Sequence, residues 1–120
     1  MHKYLLFFLL FFNLLSTDVS AGDVKKGFLI TQAFCARCHV LPNSNKFGGI
    51  DSTLSFQGLR ALPDWRQRFK TFFARRPHLA FVQIGKDQLK NVPATYAEKI
   101  KLAAVDLEHI VAFVATLSPR

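Results

Sequence analysis

Methionine is almost missing from this chain: Met1 is the only one among 120 residues. Cysteine is nearly as scarce, with Cys35 and Cys38 the whole complement. Two thiols exclude a disulfide-dense scaffold. They also leave a structural zinc site short, because it needs two further ligands at suitable spacing and no second cysteine pair supplies them. Acidic residues are few, 8 Asp and Glu against 16 Lys and Arg, for a net charge of +8. No internal repeat or low-complexity tract is present, and 120 residues lead to the expectation of one small domain, not a multidomain enzyme. With 50% apolar residues the composition is not that of a disordered chain. The longest apolar run, residues 4–15, falls short of the about 20 residues that a membrane span needs.

That run extends from Tyr4 to Leu15, is interrupted only by Asn13, and follows the basic start Met1-His2-Lys3. Small and polar residues, Ser16 to Ala21, come next. A basic start, a short apolar core and a small-residue exit describe a secretory signal peptide, expected over residues 1–21 with cleavage after Ala21. An uncleaved N-terminal anchor is the alternative. Cleavage leaves one domain, residues 22–120, and removes one cation (Lys3) and one anion (Asp18), so the net charge stays at +8. An exported domain this basic favours acidic partners or an anionic surface through long-range steering. Nucleic acid is not expected, since there is neither an aromatic-basic ladder nor a recognition helix.

Both cysteines fall in Phe34-Cys35-Ala36-Arg37-Cys38-His39. In an exported protein two thiols first suggest a disulfide, and at this spacing a thioredoxin-like redox pair. The thioredoxin reading wants a βαβ context, whereas the flanks here look helical. His39 shifts the balance, because C-x-x-C-H is the attachment sequence of c-type haem. Thiols one helical turn apart reach both vinyl groups of one porphyrin, and the imidazole on the next residue meets the iron from the same side as its proximal ligand. One covalent haem c is therefore expected, anchored by Cys35 and Cys38 and ligated by His39. A domain this small buries limited apolar surface, so a large cofactor would help it fold.

The flanks are patterned for helices. Asp23 is a plausible cap for a helix that runs through Val24, Gly27, Phe28, Leu29, Ile30 and Phe34. Its apolar residues do not form one stripe, which predicts contact on two sides, and Gly27 predicts close approach by another helix. Residues 42–63 carry turn chemistry around Pro42 and Gly48-Gly49 and predict a long loop along one cofactor edge. Asp64 then caps a helix from Trp65 to Arg76 whose apolar face is Trp65, Phe69, Phe72 and Phe73, stopped by Pro77. Trp65 is also a candidate donor to a haem propionate. Residues 79–102 carry turn signals at Gly85 and Pro93 and a turn or two of helix from Tyr96 to Lys101. A last helix has Leu107, Ile110, Val111, Val114 and Leu117 on one face.

Gly22-Asp23-x-x-x-Gly27, then Cys35-x-x-Cys38-His39, then Leu107-x-x-Ile110-Val111-Ala112-Phe113-Val114 together resemble a small class I bacterial cytochrome c, especially the short periplasmic monohaem proteins of proteobacteria. The likeness covers nearly all of residues 22–117. It implies an all-α fold wrapped around one haem with long loops, the first and last helices crossing with Gly27 against Phe113. It also implies an electron shuttle, not an enzyme, in the periplasm. The departure is methionine. The family usually completes the iron's shell with a Met sulfur, commonly in a Met-Pro pair before the last helix, and Met1 leaves with the signal. Asn91-Val92-Pro93 or Phe81-Val82 occupies that stretch instead.

The sixth iron position therefore has several candidates. His78, at the exit of the aromatic helix, is the best, though a histidine there also suits a propionate contact or a plain loop position. A vacant apolar distal side, Asn91, Gln83 or a lysine are the others, and His109 is expected on the solvated face of the last helix. Bis-histidine iron suits one-electron transfer at a potential lower than Met/His ligation gives. An open iron would instead bind NO, CO or peroxide, with His78 as a distal base and Arg75 or Arg76 as charge stabiliser in a catalytic variant. A haem subunit of a larger oxidoreductase complex is a further alternative. Partners are expected to be acidic redox proteins, donor and acceptor, steered by Lys25, Lys26, Lys46, Arg60, Arg75 and Arg76. A membrane enters only as the site of a donor or acceptor.

Overall fold

Asp23 starts the first helix, α1 (Val24–Phe34), by accepting the Lys26 N–H on its carboxylate at 2.9 Å. It opens the computed structural model, which describes residues 21–85 and 99–120. Gly27 and Thr31 are the buried residues of α1, and the buried Thr31 hydroxyl donates to the Phe28 carbonyl within its own helix. A loop leads to α2 (Phe56–Arg60), capped by the Ser55 hydroxyl, which accepts the Gly58 N–H at 3.0 Å. The next helix, α3 (Trp65–Thr71), runs into a 3-10 turn at Phe72–Ala74, and a second 3-10 turn forms at His78–Ala80. Strands β1 (Val82–Ile84) and β2 (Ile100–Leu102) pair in parallel with Val82 opposite Ile100. The last helix, α4 (Ala104–Ala115), follows directly, with the Asp106 carboxylate accepting the Ala103 N–H at 2.8 Å.

The architecture of the described residues is mostly helical, organised on the crossing of α1 over α4. There is no room for a side chain at the crossing: a β-carbon on Gly27 would overlap the His109 carbonyl, and one on Gly22 the Glu108 carbonyl. Phe28 meets Phe113 edge-to-face with ring centroids 5.5 Å apart. The core continues from Ile110, Val111 and Val114 of α4 to Leu41, Phe56, Trp65 and Phe69. Phe69 joins two of these elements, at 5.0 Å from Phe56 and 6.4 Å from Trp65. Each fully buried large side chain of this kind contributes about 1.5–3 kcal/mol relative to exposure.

Five expectations are corrected. The all-helical pattern omits β1 and β2, which at three residues each are too short to show a period. The loop over residues 42–63 contains α2, a five-residue helix announced only by its Ser55 cap. The aromatic helix leaves α geometry after Thr71, five residues before Arg76. There the Thr71 hydroxyl bonds back to the Gln67 carbonyl at 2.7 Å, and the chain is already turning towards Pro77. Asp64 occupies the cap position of α3 without capping; its carboxylate pairs with the Arg68 guanidinium at 2.8 Å instead. Of the helical turn expected from Tyr96 to Lys101, residues 96–98 lie outside the described residues, as does Pro93, while Ile100 and Lys101 belong to β2 and not to a helix.

Candidate functional site

After α1 the backbone makes one further turn, in which the Cys38 and His39 N–H groups both donate to the Cys35 carbonyl, at 3.1 and 2.9 Å. That turn brings Cys35, Cys38 and His39 to the wall of one cavity of about 220 Å³. His78 lines the same cavity. The rest of the lining is mainly apolar, with Ile30, Phe56, Leu59, Phe69, Phe72 and Val82 among it. The two sides of α1 explain its irregular pattern: Gly27 and Thr31 are buried, while Ile30 and Phe34 face this cavity.

The two imidazoles are matched. Their planes lie 6° apart and their centroids 6.0 Å apart. His39 Nδ1 is 2.7 Å from the Leu54 carbonyl. A carbonyl only accepts, so Nδ1 carries the proton and Nε2 keeps its lone pair for a ligand. His78 is held by Phe72 and Phe81, at centroid distances of 5.2 and 5.6 Å, and its buried Nδ1 has no hydrogen-bond partner among the described residues. Burial, and secondarily the nearby His39, lower the pKa of His78 and favour the neutral ring, the form that ligates metals. Cys35 and Cys38 are free thiols. Burial of the Cys35 sulfur, with Cys38 beside it, pushes that thiol up to about 12, although the residue as a whole is only half-buried.

The charge that the described residues bring to the lining is of one sign. Among the described residues, Arg68, Arg75 and Arg76 reach the cavity and no carboxylate does. Arg68 is tied to Asp64, and Arg75 donates from Nε to the Thr71 hydroxyl at 3.2 Å.

Other candidates fall elsewhere. Gln83 is buried but off the cavity wall, its amide donating to the Gly85 carbonyl at 2.8 Å. No lysine lines the cavity among the described residues, and Asn91 lies outside them. Trp65, a candidate propionate donor, is also off the wall, with the Arg60 and Arg66 guanidiniums 4.3 and 4.6 Å from its ring centroid. His109 is not a freely solvated side chain. It is half-buried, and its Nδ1 accepts the Asp23 N–H at 2.8 Å, tying α4 to the start of α1.

Two supports escaped the sequence reading. The Asn45 side chain accepts the Leu41 N–H at 2.6 Å and donates to the Ala36 and His39 carbonyls at 2.6 and 2.8 Å, clamping the loop onto the cysteine turn. The Leu54 carbonyl sets the His39 tautomer. Asn45 looked like one more turn residue among Pro42, Asn43 and Ser44, and a backbone carbonyl leaves no mark in a sequence. No cluster of three or more His, Cys, Asp or Glu among the described residues is arranged to hold a metal ion by itself, so a ligated metal here needs further ligands of its own. No family model, curated protein or solved structure matches the chain.

Proposed function

We propose that the chain is an exported c-type cytochrome that carries single electrons between redox proteins through one covalent haem. The observation that carries this reading is the His39–His78 pair: near-parallel rings with centroids 6.0 Å apart, lining one cavity with both cysteines. Two imidazoles sharing one metal from opposite sides, at about 2 Å per nitrogen, need a centroid separation of about 6 Å. A mainly apolar cavity whose charged lining among the described residues is arginine suits a flat apolar ring that bears carboxylates. The residues present therefore fit the haem that the C-x-x-C-H sequence calls for.

In this reading Cys35 and Cys38 would anchor the haem as thioethers, His39 and His78 would ligate its iron, and Arg68, Arg75 and Arg76 would offset the charge of its carboxylates. Bound there, the haem supplies an iron that takes up and releases one electron. The protein holds both ligands fixed, His39 through Leu54 and His78 between Phe72 and Phe81, so the exchange requires little rearrangement. No bond is made or broken, and the chain is not an enzyme. The α1–α4 crossing ahead of the cysteine turn supports the finer reading of a class I cytochrome c fold. The run before Ala21 supports export by a cleaved signal, and the resemblance a periplasmic home.

Absorption spectra test the proposal. Denatured and acid-extracted protein is expected to keep its haem, and the native protein to be low-spin in both redox states. His78→Ala is expected to turn high-spin and to bind CO promptly when reduced. Extractable haem would sink the covalent attachment. A wild type that is high-spin and binds CO at once would replace the electron carrier with a ligand-binding haem protein.

A further inference from the structure

We infer that Arg60 and Arg66, stacked on Trp65, form a preset docking point for a carboxylate-rich patch on the protein that exchanges electrons with this one. The identity of the partner rests on the electron-carrier reading; the geometry of the docking point does not.

The stretch from Arg60 to Arg76 holds six of the chain's 16 Lys and Arg but one of its 8 Asp and Glu. The ion pairs among the described residues are Arg68 with Asp64 and Lys70 with Glu108. Neither pair involves Arg60 or Arg66, yet both guanidiniums lie on the same indole, 4.3 and 4.6 Å from its centroid. They are thus no more than about 9 Å apart, close enough for like charges to repel through partly buried surroundings. Arg60 Nε is buried with no hydrogen-bond partner among the described residues. The arrangement stores positive potential that nothing described in the chain answers, and an incoming carboxylate relieves it.

Stacking also removes rotamer freedom from two long side chains before any partner arrives. A free lysine or arginine loses that freedom on binding; a guanidinium already held over a buried indole loses less. Arg66 is exposed and Arg60 half-buried, with its Nε buried, so pairing with carboxylates falls to the outer nitrogens of the two guanidiniums. A membrane surface fits the site less well. No exposed large apolar side chain lies between Arg60 and His78, so nothing there would enter a bilayer beside the charges.

Trp65 is the only tryptophan, so a single indole N–H resonance reports on the site. The mature holoprotein would be titrated with a poly-glutamate peptide while that resonance is followed. A saturable shift is expected. Arg60→Gln with Arg66→Gln should weaken binding about tenfold. Arg60→Lys with Arg66→Lys keeps the charge but not the planar stack and should weaken it about threefold. Lys101→Gln with Arg120→Gln removes the same charge from exposed positions elsewhere and should cost less than about twofold. Equal losses in the two Gln pairs would overturn the inference in favour of diffuse charge. A resonance that moves with phosphatidylglycerol vesicles but not with the peptide would overturn it in favour of a membrane. The absorption spectrum of the same sample judges the haem separately: a shift without haem sinks only the electron carrier, and haem without a shift sinks only the docking point.

Discussion

Gly27 of α1 rests on the backbone of His109 in α4, with the Phe113 β-carbon also in reach of any added methyl group. The crossing sets the direction in which α1 delivers Cys35 to the cavity. Gly27→Ala would gain about 1 kcal/mol of helix propensity. The added methyl would nevertheless meet a helix backbone, which cannot turn aside as a side chain can. We expect a net loss of about 3 kcal/mol and a melting temperature lower by roughly 10–20 °C by far-UV circular dichroism. A variant melting with the wild type would mean that the helices do not cross at this residue.

Asn45 is the second structural hinge of the site. Truncation to Ala would strand the Leu41 N–H and the Ala36 and His39 carbonyls, all beside the cysteine turn. Unpaired groups at part-buried positions cost about 1–3 kcal/mol each, so we expect Asn45→Ala to lose at least about 2 kcal/mol by urea denaturation. Asn45→Asp keeps the acceptor for Leu41 but sets a carboxylate against two carbonyl oxygens. It should therefore rescue little, and full rescue by Asp would show that only the Leu41 bond matters.

The contrast between Asn45 and Gly27 shows what the sequence makes legible. Gly27, the Asp23 cap, the cysteine turn and the aromatic face of α3 announce themselves through local rules of spacing, capping and period. Asn45 and Leu54 act through partners whose positions depend on how the loop folds back, and one of them acts through its backbone. The three-residue strands are set by tertiary pairing rather than by propensity. His109 has the residue type and helix position of a solvated histidine, and only the approach of the α1 start gives it a bond. Ligand chemistry alone singles out His78 in the sequence; the near-parallel placement of its ring beside that of His39 is set by the fold.

The start of α1 should show acid sensitivity. The Lys26 backbone N–H bonded to the Asp23 carboxylate, with the Lys26 charge nearby, holds its pKa below the ordinary 3.8. A depressed carboxylate stabilises the fold above its unfolded pKa and loses that contribution as pH falls through the folded one. The melting-temperature gap between wild type and Asp23→Ala should be full at neutral pH and narrow below about pH 4. Asp23→Asn keeps an uncharged cap acceptor and should show no such narrowing. A gap of constant width down to pH 2 would mean that the carboxylate charge contributes nothing.

The reduction potential offers the sharpest test of the distal ligand. Phe72 and Phe81 flank His78, and the surrounding cavity is mainly apolar, a setting that a thioether tolerates as well as an imidazole. Methionine–histidine ligation raises an iron potential relative to two histidines. If His78 is the sixth ligand, His78→Met should remain low-spin and shift the midpoint potential upward, by about 100 mV or more. His78→Ala should lose the low-spin spectrum altogether, while His109→Ala, which removes the other non-cysteine-motif histidine of the described chain, should leave both spectrum and potential in place and cost only about 1 kcal/mol of stability. A potential that His78→Met does not move would take His78 off the iron and return the sixth position to the unassigned candidates.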